Sequence, residues 1–148
     1  MATSPREWRD QASKRLRASG SRQGSAREAV LEVLSREECC LTALEVFDAL
    51  RAAGRPVGLA SVYRAIDLLT ERGLVRRIDL GARTARFERV LPSGEHHHHI
   101  VCNDCGKVEP FADEGLERAL HKAEDRSGYA IAAHDVLLHG ACTNCQSV

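Results

Sequence analysis

Six cysteines and seven histidines carry most of the chemistry available to this 148-residue chain. Four of the cysteines form two Cys-x-x-Cys pairs, Cys102 with Cys105 and Cys142 with Cys145, and 36 residues separate the pairs. Each pair sets two thiolates on one tight turn, the right separation for sharing a tetrahedral ion, and Gly106 lets the first turn close. Four thiolates leave no open coordination position, so the spacing predicts a structural Zn²⁺ site and not a catalytic one. A redox pair fits less well, because two pairs occur and neither opens a thioredoxin-like βαβ unit. The adjacent Cys39 and Cys40 cannot easily share one ion; Cys39 is read as packing.

His96-His97-His98-His99 lies inside the chain and runs into Ile100-Val101. Neighbours on a strand point to opposite faces, so His96 and His98 face one way and His97 and His99 the other. One tetrapeptide can thus seed two separate metal sites, each from an imidazole pair about 6–7 Å apart along the strand. Glu88, Glu95, Glu109, Glu117, His121, His134, His139 and Cys40 could complete them, and spacing alone leaves that choice open.

Upstream, residues 57–69 divide cleanly. Val62, Ile66 and Leu69 form a face to bury, while Ala60, Ser61, Tyr63, Arg64 and Asp67 remain for the other side. Small residues at its start would let such a helix enter a major groove. Ser61 can bond a phosphate, Arg64 can reach a guanine edge, and Tyr63 suits thymine methyls. Arg76, Arg77, Arg83 and Arg86 offer charge to a phosphate backbone, and Arg22 could enter a minor groove.

These residues need a scaffold. Residues 5–18 predict a helix with Trp8, Ala12 and Leu16 on one face, and residues 26–36 a second with Ser25 as N-cap. Thr42 caps a third that runs to Ala53, and residues 59–72 form a fourth that Gly73 ends. The period then changes to strands over 74–80 and 85–90 around a turn at 81–84. Helices followed by a basic hairpin describe a winged helix-turn-helix. After a hinge at Pro92-Ser93-Gly94 come strands over 97–101 and 107–111, a helix over 113–127 capped by Asp113, and a strand or hairpin over 129–134 and 136–139. The fold class is α+β: a winged-helix domain over 1–91, a hinge over 92–95 and a metal-binding α/β domain over 96–148.

Charge follows the same division. Residues 1–90 hold 17 basic and 12 acidic side chains, a net +5, and residues 91–148 hold 4 and 9, a net −5. That pattern suits a polyanion in front and metal cations behind. No apolar stretch approaches the roughly 20 residues of a membrane span, and the first 25 residues show no apolar signal core, so the expectation is a cytoplasmic protein with no membrane partner.

Residues 57–69 resemble the recognition helix of the ferric uptake regulator (Fur) family, and residues 96–108, from the histidines through Cys102-Asn103-Asp104-Cys105-Gly106, resemble its His-rich metal motif. The resemblance covers about residues 12–146. It implies a homodimeric, metal-dependent repressor of palindromic double-stranded operator DNA, with a C-terminal dimerisation domain. It implies that Cys102, Cys105, Cys142 and Cys145 hold structural zinc and that His96, His98, Glu117 and His134 form a site inside the dimerisation domain. Glu88, His97 and His99 match the inter-domain sensor, whose last ligand falls on Cys40 by ungapped alignment. Arg27 matches a phosphate contact and joins Arg22, Ala60, Ser61, Tyr63 and Arg64 as DNA-contacting residues, although Gly24-Ser25 replaces the family's usual Thr-Pro start. Glu109-Pro110 shifts an acidic ligand by one residue.

A thiolate in the sensor suits Zn²⁺ better than Fe²⁺ and points to the zinc-sensing (Zur-like) branch; Glu88 is the iron-type feature, so an iron-responsive regulator is the alternative. The regulatory metal is thus Zn²⁺ or Fe²⁺. An enzyme is not expected: the signatures of zinc deaminases, nucleophile elbows and phosphate loops are absent, and no small-molecule substrate is implied. A metal-storage or chaperone protein without DNA binding would leave residues 57–69 and the hairpin unexplained.

Overall fold

The computed structural model describes residues 3–18, 20, 24–81 and 84–146, and within it the chain divides into two compact units, residues 1–95 and 96–148. No helix of the described residues is long and apolar enough to cross a membrane.

The first unit is helical with a small sheet: α1 (Pro5–Ala18), α2 (Ser25–Arg36), β1 (Leu41–Thr42), α3 (Ala43–Ala52), α4 (Leu59–Glu71), β2 (Val75–Ile78) and β3 (Arg86–Arg89). Its core draws one stripe from each helix: Trp8, Ala12 and Leu16; Val30, Leu31 and Leu34; Val46 and Leu50; Val62, Ile66 and Leu69. Trp8 also donates its indole N–H to the Val90 carbonyl at 2.9 Å, which ties α1 to the end of the hairpin. The α3–α4 pair is the helix-turn-helix. Gly54, at φ +69°, makes the left-handed turn that ends α3, a conformation costly for any residue with a Cβ. Strand order is β1-β3-β2, all antiparallel, with Arg76 opposite Glu88 and Arg77 opposite Phe87.

Two cap expectations resolve differently. Thr42 caps α3 in a full capping box: its Oγ1 accepts from Glu45 N–H, and its own N–H donates to Glu45 Oε1, both at 3.1 Å. Replacing Thr42 with alanine removes one orphan donor's partner at a helix start. It is expected to lower stability by about 1 kcal/mol, read from chemical denaturation midpoints. At α2 the N-cap is Gly24, with no side-chain cap bond, and Ser25 is the first helical residue. The two-residue strand β1 was not apparent in the sequence, since so short a run carries no period.

The second unit contains β4 (His98–Cys102), β5 (Val108–Phe111), α5 (Glu114–Ser127) and β6 (Leu137–Gly140), in sheet order β5-β4-β6. Asp113 caps α5 by accepting from Leu116 N–H at 2.8 Å. β4 pairs antiparallel with β5 but parallel with β6, so α5 is the crossover that parallel pairing needs. The expected strand or hairpin over 129–134 and 136–139 reduces to β6. Residues 129–136 lie outside the strands, although the Val136 carbonyl already accepts from the His99 amide at 3.2 Å just before β6 begins.

Candidate metal centres and nucleic-acid interface

Among the described residues, two sets of potential metal ligands assemble within the second unit, and the strands explain why. Among the described residues, the Sγ atoms of Cys102, Cys105, Cys142 and Cys145 all lie within 4.8 Å of one another. The end of β4 and the segment after β6 bring the two knuckles together. Gly106 at φ +77° closes the first, with its N–H on the Cys102 carbonyl at 2.9 Å, and the Cys145 N–H meets the Cys142 carbonyl at 2.9 Å. Cys102 is buried, and the Cys142 amide donates to its Sγ at 3.3 Å. The Cys105 and Cys142 amides pull the Cys102 thiol down to about 6, so it presents a thiolate at neutral pH. Hydrogen bonding to Cys142 pushes the Cys145 thiol up to about 12, the expected result when several sulfurs compete for one negative charge. A divalent cation relieves that competition, and this all-sulfur donor set fits Zn²⁺.

The histidine run splits its faces as strand geometry requires. His96 and His98 stand with ring centroids 5.2 Å apart, His97 and His99 with theirs 4.9 Å apart. On the first face, ligand atoms of His96, His98, Glu117 and His134 lie within 4.8 Å of one another. Glu117 is the hub. Its Oε1 meets His98 Nε2 at 2.5 Å, and its Oε2 meets His134 Nε2 at 2.8 Å and His96 Nε2 at 3.5 Å. The bond to His98 holds the Glu117 carboxyl below its usual range. His134 contacts a carboxylate through each ring nitrogen, and its hydrogen bond to Glu124, followed by that to Glu117, raises its pKa. A cation arriving here replaces protons shared between imidazoles and a carboxylate. The three-nitrogen, one-oxygen set suits Zn²⁺ and also harder divalent ions.

The remaining candidate ligands belong to two units and are described separately. In the first unit, Glu88 is buried on β3, its carboxylate held by the Arg76 Nε at 2.7 Å. The thiolate position differs from expectation. Cys39 Sγ has a Glu88 carboxylate oxygen within 4.8 Å. Cys40 is only 4% exposed, packed just before β1, with its Sγ 3.6 Å from that of Cys39. The hydrogen bond to Cys39 and its burial hold the Cys40 thiol well above the usual range. The ungapped alignment places the ligand at Cys40, whereas the cysteine grouped with Glu88 is its neighbour Cys39. In the second unit, ligand nitrogens of His97 and His99 lie within 4.8 Å of each other. Glu109 instead pairs with Lys107 at 2.6 Å, and His121 with Glu124 at 3.2 Å.

The DNA-facing candidates lie as the face division predicts. Ala60, Tyr63 and Arg64 are exposed on α4, Tyr63 at 49%, while Val62, Ile66 and Leu69 are buried beneath them. Arg64 Nη2 donates to Ser61 Oγ at 3.1 Å, so the guanidinium and hydroxyl form one polar tip on the first turns. Gly58 caps α4 without a side-chain bond, leaving its first amides available to an anion. Arg27 is half-buried in the first turn of α2, and Arg22 lies outside the described residues, as does Arg83. Two hairpin arginines are committed within the protein: Arg76 to Glu88 and Arg86 to Glu45 at 2.9 Å, while Arg77 is exposed. The β2–β3 register, which sequence does not display, makes the first pairing, and the second joins β3 to α3.

The sequence profile of the Ferric uptake regulator family matches residues 18–139. A "Ferric uptake regulation protein" of Legionella pneumophila is 36% identical over 135 residues, spanning 90% of this chain and 98% of the relative. One from Bacillus subtilis is 33% identical over 138 residues, 92% and 93% of the two chains. Among solved structures, the ferric uptake regulator of Vibrio cholerae superposes with a TM-score of 0.77 at 31% identity, covering 87% of this chain and 98% of that one. The Pseudomonas aeruginosa ferric uptake regulator, solved with manganese, gives 0.72 at 30% identity, covering 88% and 97%. With its winged helix-turn-helix followed by an α/β dimerisation domain, this chain belongs to the ferric uptake regulator family.

Proposed function

We propose that this protein is a homodimeric transcriptional repressor that binds a palindromic operator when a regulatory divalent metal is loaded, and that the metal is zinc. The observation that carries this reading is the division of the histidine run. His96 and His98 face Glu117 and His134 of their own unit, while His97 and His99 stand together on the other face. Glu88 with Cys39 is the complementary pair in the winged-helix unit. One ion drawing ligands from both would restrain the hinge over 92–95 and set the spacing of the two α4 helices of a dimer to multiples of a DNA turn.

The dimer is supported by the composition of the second unit. Ile100 and Leu138 are register partners on β4 and β6, exposed at 36% and 46%, and Ile131 is exposed at 45%. A unit with so much apolar surface and so little buried hydrocarbon fits a partner copy.

Cys39 favours zinc, because thiolate beside imidazole selects softer ions than Fe²⁺. Iron is the second reading, and the names of the relatives favour it. Metal analysis of protein purified without chelator, paired with gel-shift titrations of an AT-rich palindromic duplex in each metal, tests the choice. Zinc in the preparation and zinc-activated binding are expected; iron content with activation by Fe²⁺ alone would establish the second reading. A metal store without DNA binding would show no steep salt dependence in the same assay. Arg64→Ala removes the side chain best placed for a base edge and is expected to weaken duplex binding by about 1–3 kcal/mol with metal content unchanged.

A further inference from the structure

Among the described residues, one acidic side chain beside the inner histidine site holds no place in the ligand set yet touches it directly. Glu124 lies on α5, seven residues after Glu117, so the two share a helix face two turns apart, with His121 between them at the four-residue spacing. Its two oxygens are divided. Oε1 meets His134 Nδ1 at 2.8 Å, and Oε2 meets His121 Nδ1 at 3.2 Å. His134 turns its other nitrogen, Nε2, into the ligand cluster, 2.8 Å from Glu117 Oε2 and 3.1 Å from His96 Nε2.

We infer that Glu124 is a positioning residue for this metal site: it keeps the proton on His134 Nδ1 and so presents the Nε2 lone pair to the ion. An imidazole can ligate through only one unprotonated nitrogen while its other N–H is held. A carboxylate at that second nitrogen fixes both the tautomer and the ring plane, and raises the basicity of the ligating atom. The segment over 129–136 that carries His134 lies outside the strands, and its end is tied to β4 where the Val136 carbonyl accepts from the His99 amide at 3.2 Å. His121, pulling on the second oxygen from the solvent side, holds the Glu124 carboxylate at the angle His134 needs. This inference rests on the reading of His96, His98, Glu117 and His134 as a metal site.

The test uses full-length protein carrying His97→Ala and His99→Ala, so that only the cysteine site and the inner site bind metal. Zn²⁺ affinity is measured by chelator competition, and Co²⁺ spectra report the nitrogen–oxygen site apart from the thiolate bands. Glu124→Ala is expected to lower affinity at the inner site by about 10–100-fold. Glu124→Gln, whose side-chain carbonyl still accepts from Nδ1–H, is expected to recover most of that loss, while the Co²⁺ thiolate bands stay unchanged in both. His134→Ala separates the two readings. If it leaves inner-site affinity at the parent's level, the metal-site reading falls and the positioning role with it. If His134→Ala lowers affinity but Glu124→Ala does not, or Gln is no better than Ala, the positioning role alone is overturned.

Discussion

Replacing Cys142 with serine is expected to strip the cysteine-bound zinc and to unfold residues 96–148 as a unit, with loss of dimer and of duplex binding. Among the described residues of that unit, only Cys102, His98 and His99 are buried, and all three are metal-ligand candidates and not hydrocarbon. α5 buries no residue fully. A unit of this size with so little core depends on a staple or a partner. Structural zinc in comparable small domains binds with apparent free energies of about 10–16 kcal/mol, which appear as folding free energy. Removing one thiolate leaves three sulfurs around an incompletely coordinated ion and cuts the clasp between the end of β4 and the segment after β6. Zinc content, thermal unfolding with and without chelator, and size-exclusion elution together check it. A mutant with wild-type melting and full zinc would show that the sheet and partner contacts suffice.

Much of this was legible in the sequence because it is periodic or covalent in origin. The first and fourth helices followed from apolar stripes, Trp8-Ala12-Leu16 and Val62-Ile66-Leu69, that tertiary packing then used unchanged, and the Thr42 and Asp113 caps followed from local side-chain chemistry. The two faces of the histidine strand followed from a period of two. What was not legible depends on contacts between distant segments. The parallel register of β6 arises only once α5 has crossed the sheet, and the commitment of Arg76 to Glu88 arises only once β2 and β3 pair. Cys39 and Cys40 are adjacent, so composition cannot say which thiol joins Glu88; the folded chain groups Cys39 with it. Glu124 had a faint signal, the 117-121-124 spacing on one helix face, but nothing in that spacing says that His134 meets it.

The second large effect concerns the regulatory ion. If Glu88 with Cys39 and His97 with His99 share it, then the metal acts by binding the DNA-competent arrangement more tightly than the alternatives. Coupling of this kind runs at about 1–3 kcal/mol, or roughly 5–150-fold in affinity. His97→Ala deletes a ligand on one side and Cys39→Ser weakens one on the other. Neither touches the buried stripes of the winged helix or the four cysteines, so folding and structural zinc should persist. Cys40→Ser, at the neighbouring buried thiol, is the comparison that tests which cysteine acts.

The most direct measurement is the affinity for one palindromic duplex at fixed salt, with and without Zn²⁺ beyond the structural equivalent, in wild type, His97→Ala, Cys39→Ser and Cys40→Ser. Zinc is expected to tighten binding within the 5–150-fold range in wild type and Cys40→Ser, and to have almost no effect in His97→Ala and Cys39→Ser. If His97→Ala and Cys39→Ser respond to zinc as wild type does, the regulatory ion is bound elsewhere and the proposed switch is wrong.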